Sequence, residues 1–283
     1  NDPGLSKCLM YSVPYALRLM KNGIPELKVP KLEPLEVSEI DINTGTGPVN
    51  IRQLYKNIKI YGITNANLTT YNADLKNYRI ITDSFTDKIE FTADYVMDGR
   101  ILLIPLAGKG RCNITMKNLV IKHDLIGEPV TKNGKIYMKL KDYKVKFITN
   151  SVSFYFANLF NGNKALGEQM NRFMNENSEI VFQELKGSYE KSFSSIFKDI
   201  TNKIFTKFLF MNKAGRKHQV LLSDYLIRQS DQINTTHIRF ENRIGIKTGA
   251  TLSDRIGRPA RKGVKCMARR PSGCLIRHSD GKT

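Results

Sequence analysis

NLFNGNKALGEQMNRFMNENSEIVFQELKGSYEKSFSSIFKDITNKIFTKF, residues 158–208, decides the fold. Apolar side chains fall at Leu166, Met170, Phe173, Met174, Val181, Leu185, Tyr189, Phe193, Ile196, Phe197, Ile200, Ile204 and Phe208. Steps of three, four and seven place them on one helical face. Read as a single helix over residues 163–208, the segment is roughly 69 Å long, more than an ordinary small domain is wide. Gly187 and Ser188 sit mid-helix and mark an expected bend. So long a stripe must be covered, and the material available is the region before it.

That region reads as strands. From residue 49 to 156 the pattern has mostly period two: Ile58 and Ile60 lead into Gly62, and Phe91, Ala93, Tyr95 and Met97 alternate with other residues. Two hairpin signals stand out. Asp98-Gly99 lies between Tyr95-Val96-Met97 and Ile101-Leu102-Leu103, and Asn133-Gly134 precedes Ile136-Tyr137-Met138. Val145, Phe147, Val152, Phe154 and Phe156 complete an antiparallel meander of about six strands. A short helix over residues 5–21 comes before it, with Pro14 expected to kink it or end its first half and Gly23 to cap it. The prolines of IPELKVPKLEPLEV then hold the chain extended.

The charge is unevenly placed. The chain of 283 residues carries a formal +19, yet residues 209–283 alone hold sixteen Lys and Arg against five Asp and Glu. Beyond Ser230 the sequence is rich in Gly, Arg, Lys, Ser and Thr without sustained periodicity, and reads as poorly ordered. Its clusters KAGRKH, RPARKGVK and ARRPSG suit acidic surfaces. Phe240 is the sole aromatic past Leu226, too few for base stacking, so nucleic acid is not an expected partner. No run of eighteen apolar residues exists, so no membrane span is expected. No apolar leader precedes NDPGLSKC, which fits a mature or trimmed form. Cys8, Cys112, Cys266 and Cys274 have no metal-like spacing. Cys112 reads as a buried unpaired thiol, whereas Cys266 and Cys274 could bridge within the tail. Asn67, Asn113 and Asn234 head glycosylation triplets, with Asn67 and Asn113 the candidates in the patterned region.

Several motifs are familiar. KCL near the start, NGIPELKVPKLEPL, ADYVMDGRILLIPLAGKG, TKNGKIYMKLKDYKVKF and NLFNGNKALGEQMNRFMNEN resemble the insect juvenile-hormone-binding and takeout family, in order over residues 4–208. That resemblance implies a tubular lipid-binding architecture. The expected fold is α+β: a strongly curved antiparallel β-sheet wrapped around one long C-terminal α-helix, with a short N-terminal helix, enclosing an apolar tunnel. It also implies a secreted carrier domain over 1–208, expected to be a monomer, whereas residues 209–283 match nothing in that family and read from their composition as a basic, disordered extension. The family pairs two early cysteines. Cys8 looks like the second, with its partner missing from this chain.

A carrier needs a concave, mostly apolar seat with few polar groups. Phe154, Phe156, Leu159, Phe160, Leu166, Met170, Phe173, Met174, Val181, Phe182 and Leu185 are the candidate lining. The methionines are suited to repacking around a guest. A chain of ten to fifteen carbons gains on the order of 10 kcal/mol gross on burial, before binding costs. A tyrosine could orient an ester, epoxide or quinone; Tyr137, Tyr155 and Tyr95 are the candidates. The expected ligand is therefore a small hydrophobic molecule such as a terpenoid hormone, fatty acid or quinone, with no cofactor and no metal. The alternative is an interaction protein whose basic tail binds acidic surfaces.

Enzyme signatures are weak. Of four histidines only His123 lies in the patterned region, so a Ser-His-acid hydrolase would need it, and no G-x-S-x-G elbow appears. His-Glu-x-x-His is absent. Gly108-Lys109-Gly110 and Gly162-Asn163-Lys164 lack the further glycines of a nucleotide loop.

Overall fold

Helix α1 (Pro3–Leu19) opens the chain, followed by strands β1 (Leu35–Asn43), β2 (Val49–Tyr61), β3 (Asn67–Asp74), β4 (Arg79–Ile101), β5 (Ile104–Lys132), β6 (Lys135–Ile148) and β7 (Ser151–Phe156). Helices α2 (Lys164–Glu176) and α3 (Ser178–Phe205) come next, followed by a short strand β8 (Leu209–Met211). This computed structural model describes residues 3–43, 49–101, 103–207 and 209–211. The tail expected to be disordered lies, from residue 212 on, outside the described residues.

Among the described residues the strands form one antiparallel sheet of eight, in the order β1-β2-β4-β5-β6-β8, with β3 also paired to β4 and β7 to β5. Two more strands appear than the alternation pattern suggests. Strands β4 and β5 have 23 and 29 residues. At about 3.3 Å per residue such lengths cannot lie flat, and right-handed twist coils them. The sheet is accordingly curved. Along β4, β2 pairs with the 90–101 half and β3 with the 79–85 half. Along β5, β7 pairs with residues 112–117 and β6 with 120–132.

Alternation sets the inner face. Val49, Ile51, Gln53, Tyr55, Ile58 and Ile60 of β2 are buried, with a bulge between Lys56 and Lys59 restoring the phase. On β4 the inward residues are Ile80, Thr82, Ser84, Thr86, Ile89, Phe91, Ala93, Tyr95 and Met97. One half of that strand is thus apolar inside and the other carries hydroxyls. Met170, Met174, Val181, Phe182, Leu185, Tyr189, Phe193 and Ile204 of α2 and α3 are buried against this face.

The helices also close the edges of the sheet. Asn171 accepts from the Phe156 N–H at 2.8 Å and donates to its carbonyl at 2.9 Å. Asn175 does the same for Phe154, at 2.9 and 2.8 Å. On β6, Glu190 accepts from Phe147 N–H at 2.9 Å and Ser194 from Val145 N–H at 3.1 Å. Asn202 brackets Leu140, accepting at 2.6 Å and donating at 3.2 Å. Polar side chains at helical spacing thus take the place of the next strand, and β6 and β7 are left with no open template for another chain there.

Four expectations are corrected. The single long helix is two segments, and the bend falls at Asn177 (φ −113°, ψ 27°) rather than at Gly187-Ser188. Asn177 donates its side-chain amide back to Phe173 O at 2.9 Å, the local bonding by which Asn interrupts a helix. Gly187 is solvent-exposed and α3 runs through it. Asp98-Gly99 is not a turn: both residues lie within β4, which pairs with β5 out to Ile101–Ile104. Gly99 (φ +143°) sits where a Cβ would lie 2.2 Å from Asn50 O, so the glycine answers the close approach of β2. Asn133 and Gly134 do form the β5–β6 turn, both with positive φ as a type I′ turn requires. Pro14 neither ends nor divides α1; the helix packs on β3, and tertiary contact outweighs the local penalty. Finally, β8 pairs with β6 through Tyr137–Leu209 and Ile136–Met211, so the chain stays in the sheet past residue 208.

Candidate ligand-binding site

Between the sheet and the α2–α3 layer lies a small apolar cavity of about 10 Å³, room for a single water at most. Its walls are Phe91 of β4, Ile114 and Met116 of β5, Phe147 of β6, Phe154 of β7, and Phe182, Tyr189 and Phe193 of α3. Every one is inward by the alternation of its strand or the spacing of its helix. Rings meet edge-on around it: Phe147 and Phe193 are 5.5 Å apart at 76°.

Two of the expected lining residues, Phe154 and Phe182, come together at this cavity. Phe156, Leu159, Met170, Met174, Val181 and Leu185 are buried in the same interior but off its wall. Phe160 and Phe173 are half-buried. Leu166 is 46% exposed. Gly167, Met170 and Met174 form the inward face of α2, and Leu166 lies about 100° off it on the first turn. The lining from β4, β5 and β6 did not stand out in the sequence, where inward and outward residues of a strand look alike until register is known.

The expected tyrosines are otherwise engaged. Tyr95 donates to Ala157 O at 2.7 Å. Tyr155 is 58% exposed, and Tyr137 is half-buried at the β5–β6 end with Lys132 Nζ 5.9 Å over its ring. The interior polar groups are different ones. Behind the cavity wall, the Tyr55 hydroxyl lies 2.8 Å from that of Tyr189, and both reach Gln53 Oε1, at 2.9 and 3.1 Å. Burial raises both phenol pKa values well above the ordinary.

A second polar node sits farther along the interior. His123 Nε2 is 2.9 Å from Ser84 Oγ, and Nδ1 is 3.1 Å from the Tyr143 hydroxyl. Burial lowers the imidazole pKa to about 4, so the ring is neutral near pH 7. Ser84 is buried, while His123, Tyr143 and Phe197 above them keep part of their surface accessible. The Ser–His contact has the spacing of a catalytic pair. However, the ring's other nitrogen faces a phenol where a hydrolase triad holds a carboxylate.

A family model described as haemolymph juvenile hormone binding protein matches residues 1–212. The chain belongs to that family. Among its relatives are the circadian clock-controlled proteins daywake of Drosophila yakuba and Drosophila melanogaster. Each is 25% identical over 206 residues, covering 70% of this chain and 79% of theirs. The crystal structure of Epiphyas postvittana Takeout 1 superposes with a TM-score of 0.65 at 27% identity, covering 72% of this chain and 93% of that one.

In this juvenile-hormone-binding family member the described thiol, Cys112, is free and buried on β5, where burial pushes its pKa up to about 12. The side chain of Cys8, Cys266, Cys274 and Asn234 lie outside the described residues. Asn67 is exposed at the start of β3 and accepts from Arg18 at 2.7 Å. Asn113 is half-buried on β5, accepting from Thr115 at 3.0 Å. No helix among the described residues is long and apolar enough to cross a membrane, and none of their acidic, His or Cys side chains cluster as a metal site. Proteins of this family bind hydrophobic ligands, and that coarse function applies here.

Proposed function

We propose that the protein is a secreted, non-catalytic carrier that holds an elongated hydrophobic molecule, of terpenoid, fatty-acid or quinone-like kind, between the curved sheet and α2–α3. The observation that carries this reading is the apolar cavity between the sheet and α3, walled by aromatic rings, Ile114 and Met116. Drug-sized ligands occupy pockets of about 300–1,000 Å³, so the seat opens as the guest enters. Its walls suit that change. Met116 is unbranched, and the phenylalanines turn about two torsions each. Met170 and Met174, buried from α2, add adaptable volume to the interior.

Carriage rather than catalysis follows from the same walls. A neutral, carbon-lined seat solvates a hydrocarbon and offers no charged group to a reaction there. The neutral His123 lacks the carboxylate that would orient it as a base. The test is organic extraction of the purified full chain with mass spectrometry of the extract, followed by displacement of the fluorescent probe N-phenyl-1-naphthylamine. A copurifying lipid and saturable displacement by terpenoid, fatty acid or quinone are expected. An extract free of lipid together with no saturable displacement overturns the reading.

A further inference from the structure

We infer that Ser84, His123 and Tyr143 form a polar seat, reached from the cavity along a row of phenylalanines, that receives a neutral acceptor oxygen of an elongated hydrophobic ligand, such as an ester or ketone carbonyl. The inference rests on the carrier reading and adds to it which end of the guest is recognised, and by what.

Position comes first. From the cavity wall, Phe193 stacks on Phe197 at 5.7 Å between centroids, and Phe197 lies 6.4 Å from His123 and 6.1 Å from Tyr143. The two phenylalanines are one turn apart on α3, so a guest lying along the helix from the cavity meets the node next. Phe197, His123 and Tyr143 each keep part of their surface accessible, so the node is not closed off.

Hydrogen counting gives the ligand chemistry. A neutral imidazole carries one N–H, and the two hydroxyls carry one hydrogen each. Three hydrogens serve two contacts. If Tyr143 donates to Nδ1, then Nε2–H donates to Ser84 and the serine hydrogen is spare. If Ser84 donates to Nε2, then Nδ1–H donates to Tyr143 and the phenol hydrogen is spare. Either way one hydroxyl donor is left over, and neither hydroxyl has a further partner among the described residues. A donor in that position calls for an acceptor oxygen. In the Tyr55–Tyr189–Gln53 cluster, by contrast, both hydroxyl hydrogens are taken up by the cluster's own oxygens, so neither hydroxyl is left over to donate to a guest.

Charge narrows the class further. The lowered basicity of His123 has burial as its cause, with no charged neighbour contributing. Thr82 of β4 pairs with His123, Tyr71 of β3 lies near Tyr143, and the Phe197 ring of α3 meets both aromatic rings of the node, all of them neutral groups. Lys122 and Asp124 beside His123, and Lys144 beside Tyr143, belong to the outer face by strand alternation. A carboxylate head would enter without a counter-charge, whereas a neutral carbonyl brings no ionic desolvation cost.

The experiment uses the full chain and three probes of similar chain length: methyl palmitate, hexadecane and palmitate. Each displaces N-phenyl-1-naphthylamine, and the carbonyl stretch of bound methyl palmitate is read by infrared spectroscopy with a 13C label. Wild type is expected to favour methyl palmitate over hexadecane by about three- to tenfold, the range of one net hydrogen bond, and over palmitate as well. The bound carbonyl is expected to absorb at lower frequency than in hexane. The variant Ser84→Ala/His123→Leu/Tyr143→Phe replaces all partners with apolar groups, so no buried donor is stranded. It is expected to bind hexadecane as before and lose the ester preference and the frequency shift. An unshifted carbonyl in wild type overturns the seat, with no variant needed. So does an ester preference that survives the triple substitution. If neither methyl palmitate nor hexadecane displaces the probe, the carrier reading itself falls.

Discussion

His123 shows how one buried ring ties stability to pH. Its folded pKa is lowered to about 4 from an ordinary 6.5 because burial disfavours the charged ring. Below pH 6.5 the unfolded chain therefore takes up a proton that the folded chain refuses. Stability from this group is complete above about pH 6.5, falls as the pH drops, and levels off below about pH 4. The full shift corresponds to about 3 kcal/mol, an upper value because the ring keeps some accessible surface. Urea unfolding at pH 7 and pH 4.5, for wild type and His123→Gln, isolates the contribution against the titration of surface carboxylates. The wild type is expected to lose about 1–3 kcal/mol more than the variant on acidification. Equal losses would place the ring in contact with water in the folded state. His123 was conspicuous in the sequence as the lone histidine of the strand region. Its partner Ser84 was not, because a serine 39 residues away is joined to it only through the β4–β5 register.

At the scale of elements, the apolar stripe of residues 158–208 gave away the helices, and period two gave away the strands. What stayed hidden was the polar complement of the stripe. Asn171, Asn175, Glu190, Ser194 and Asn202 read as ordinary surface residues, yet they bond backbone of β6 and β7. One signal was available. Asn is a poor residue for a helix interior, so Asn171 and Asn175 four apart call for a reason. The Asp98-Gly99 hairpin was misread for a related cause: a glycine required by a neighbouring strand looks the same in sequence as one required by a turn. The helix-to-edge contacts make a direct prediction. Asn175→Ala leaves the Phe154 N–H and carbonyl facing the helix without partners, and should destabilise the fold by about 1–3 kcal/mol. Glu190→Gln keeps an acceptor for Phe147 N–H and gives up only an ion pair to Lys146, whose side chain is 69% exposed. It should cost under about 1 kcal/mol. Denaturant titration of the two variants checks both figures; a Glu190→Gln loss as large as that of Asn175→Ala would show that charge, not the backbone contact, matters.

For the molecule as a whole, stability and binding draw on the same interior, and a single substitution can set them against each other. Phe182 lines the cavity from α3. Removing its ring in Phe182→Ala should cost about 3–5 kcal/mol of unliganded stability, the usual loss for a large buried side chain. If the interior is only a core, nothing compensates. If it is a seat that opens for a guest, part of the work of opening has been done in advance, and a lipid should recover much of the loss. Ligand at a hundred times its Kd stabilises a folded protein by about 2.7 kcal/mol, which for a body of this size is a rise in Tm of about 5–10 °C. Thermal melts of wild type and Phe182→Ala, each with and without methyl palmitate at fixed concentration, separate the two cases. A larger ligand-induced rise in the variant than in wild type marks a seat that must open. An equal, near-zero rise in both marks a space the protein keeps filled with its own side chains.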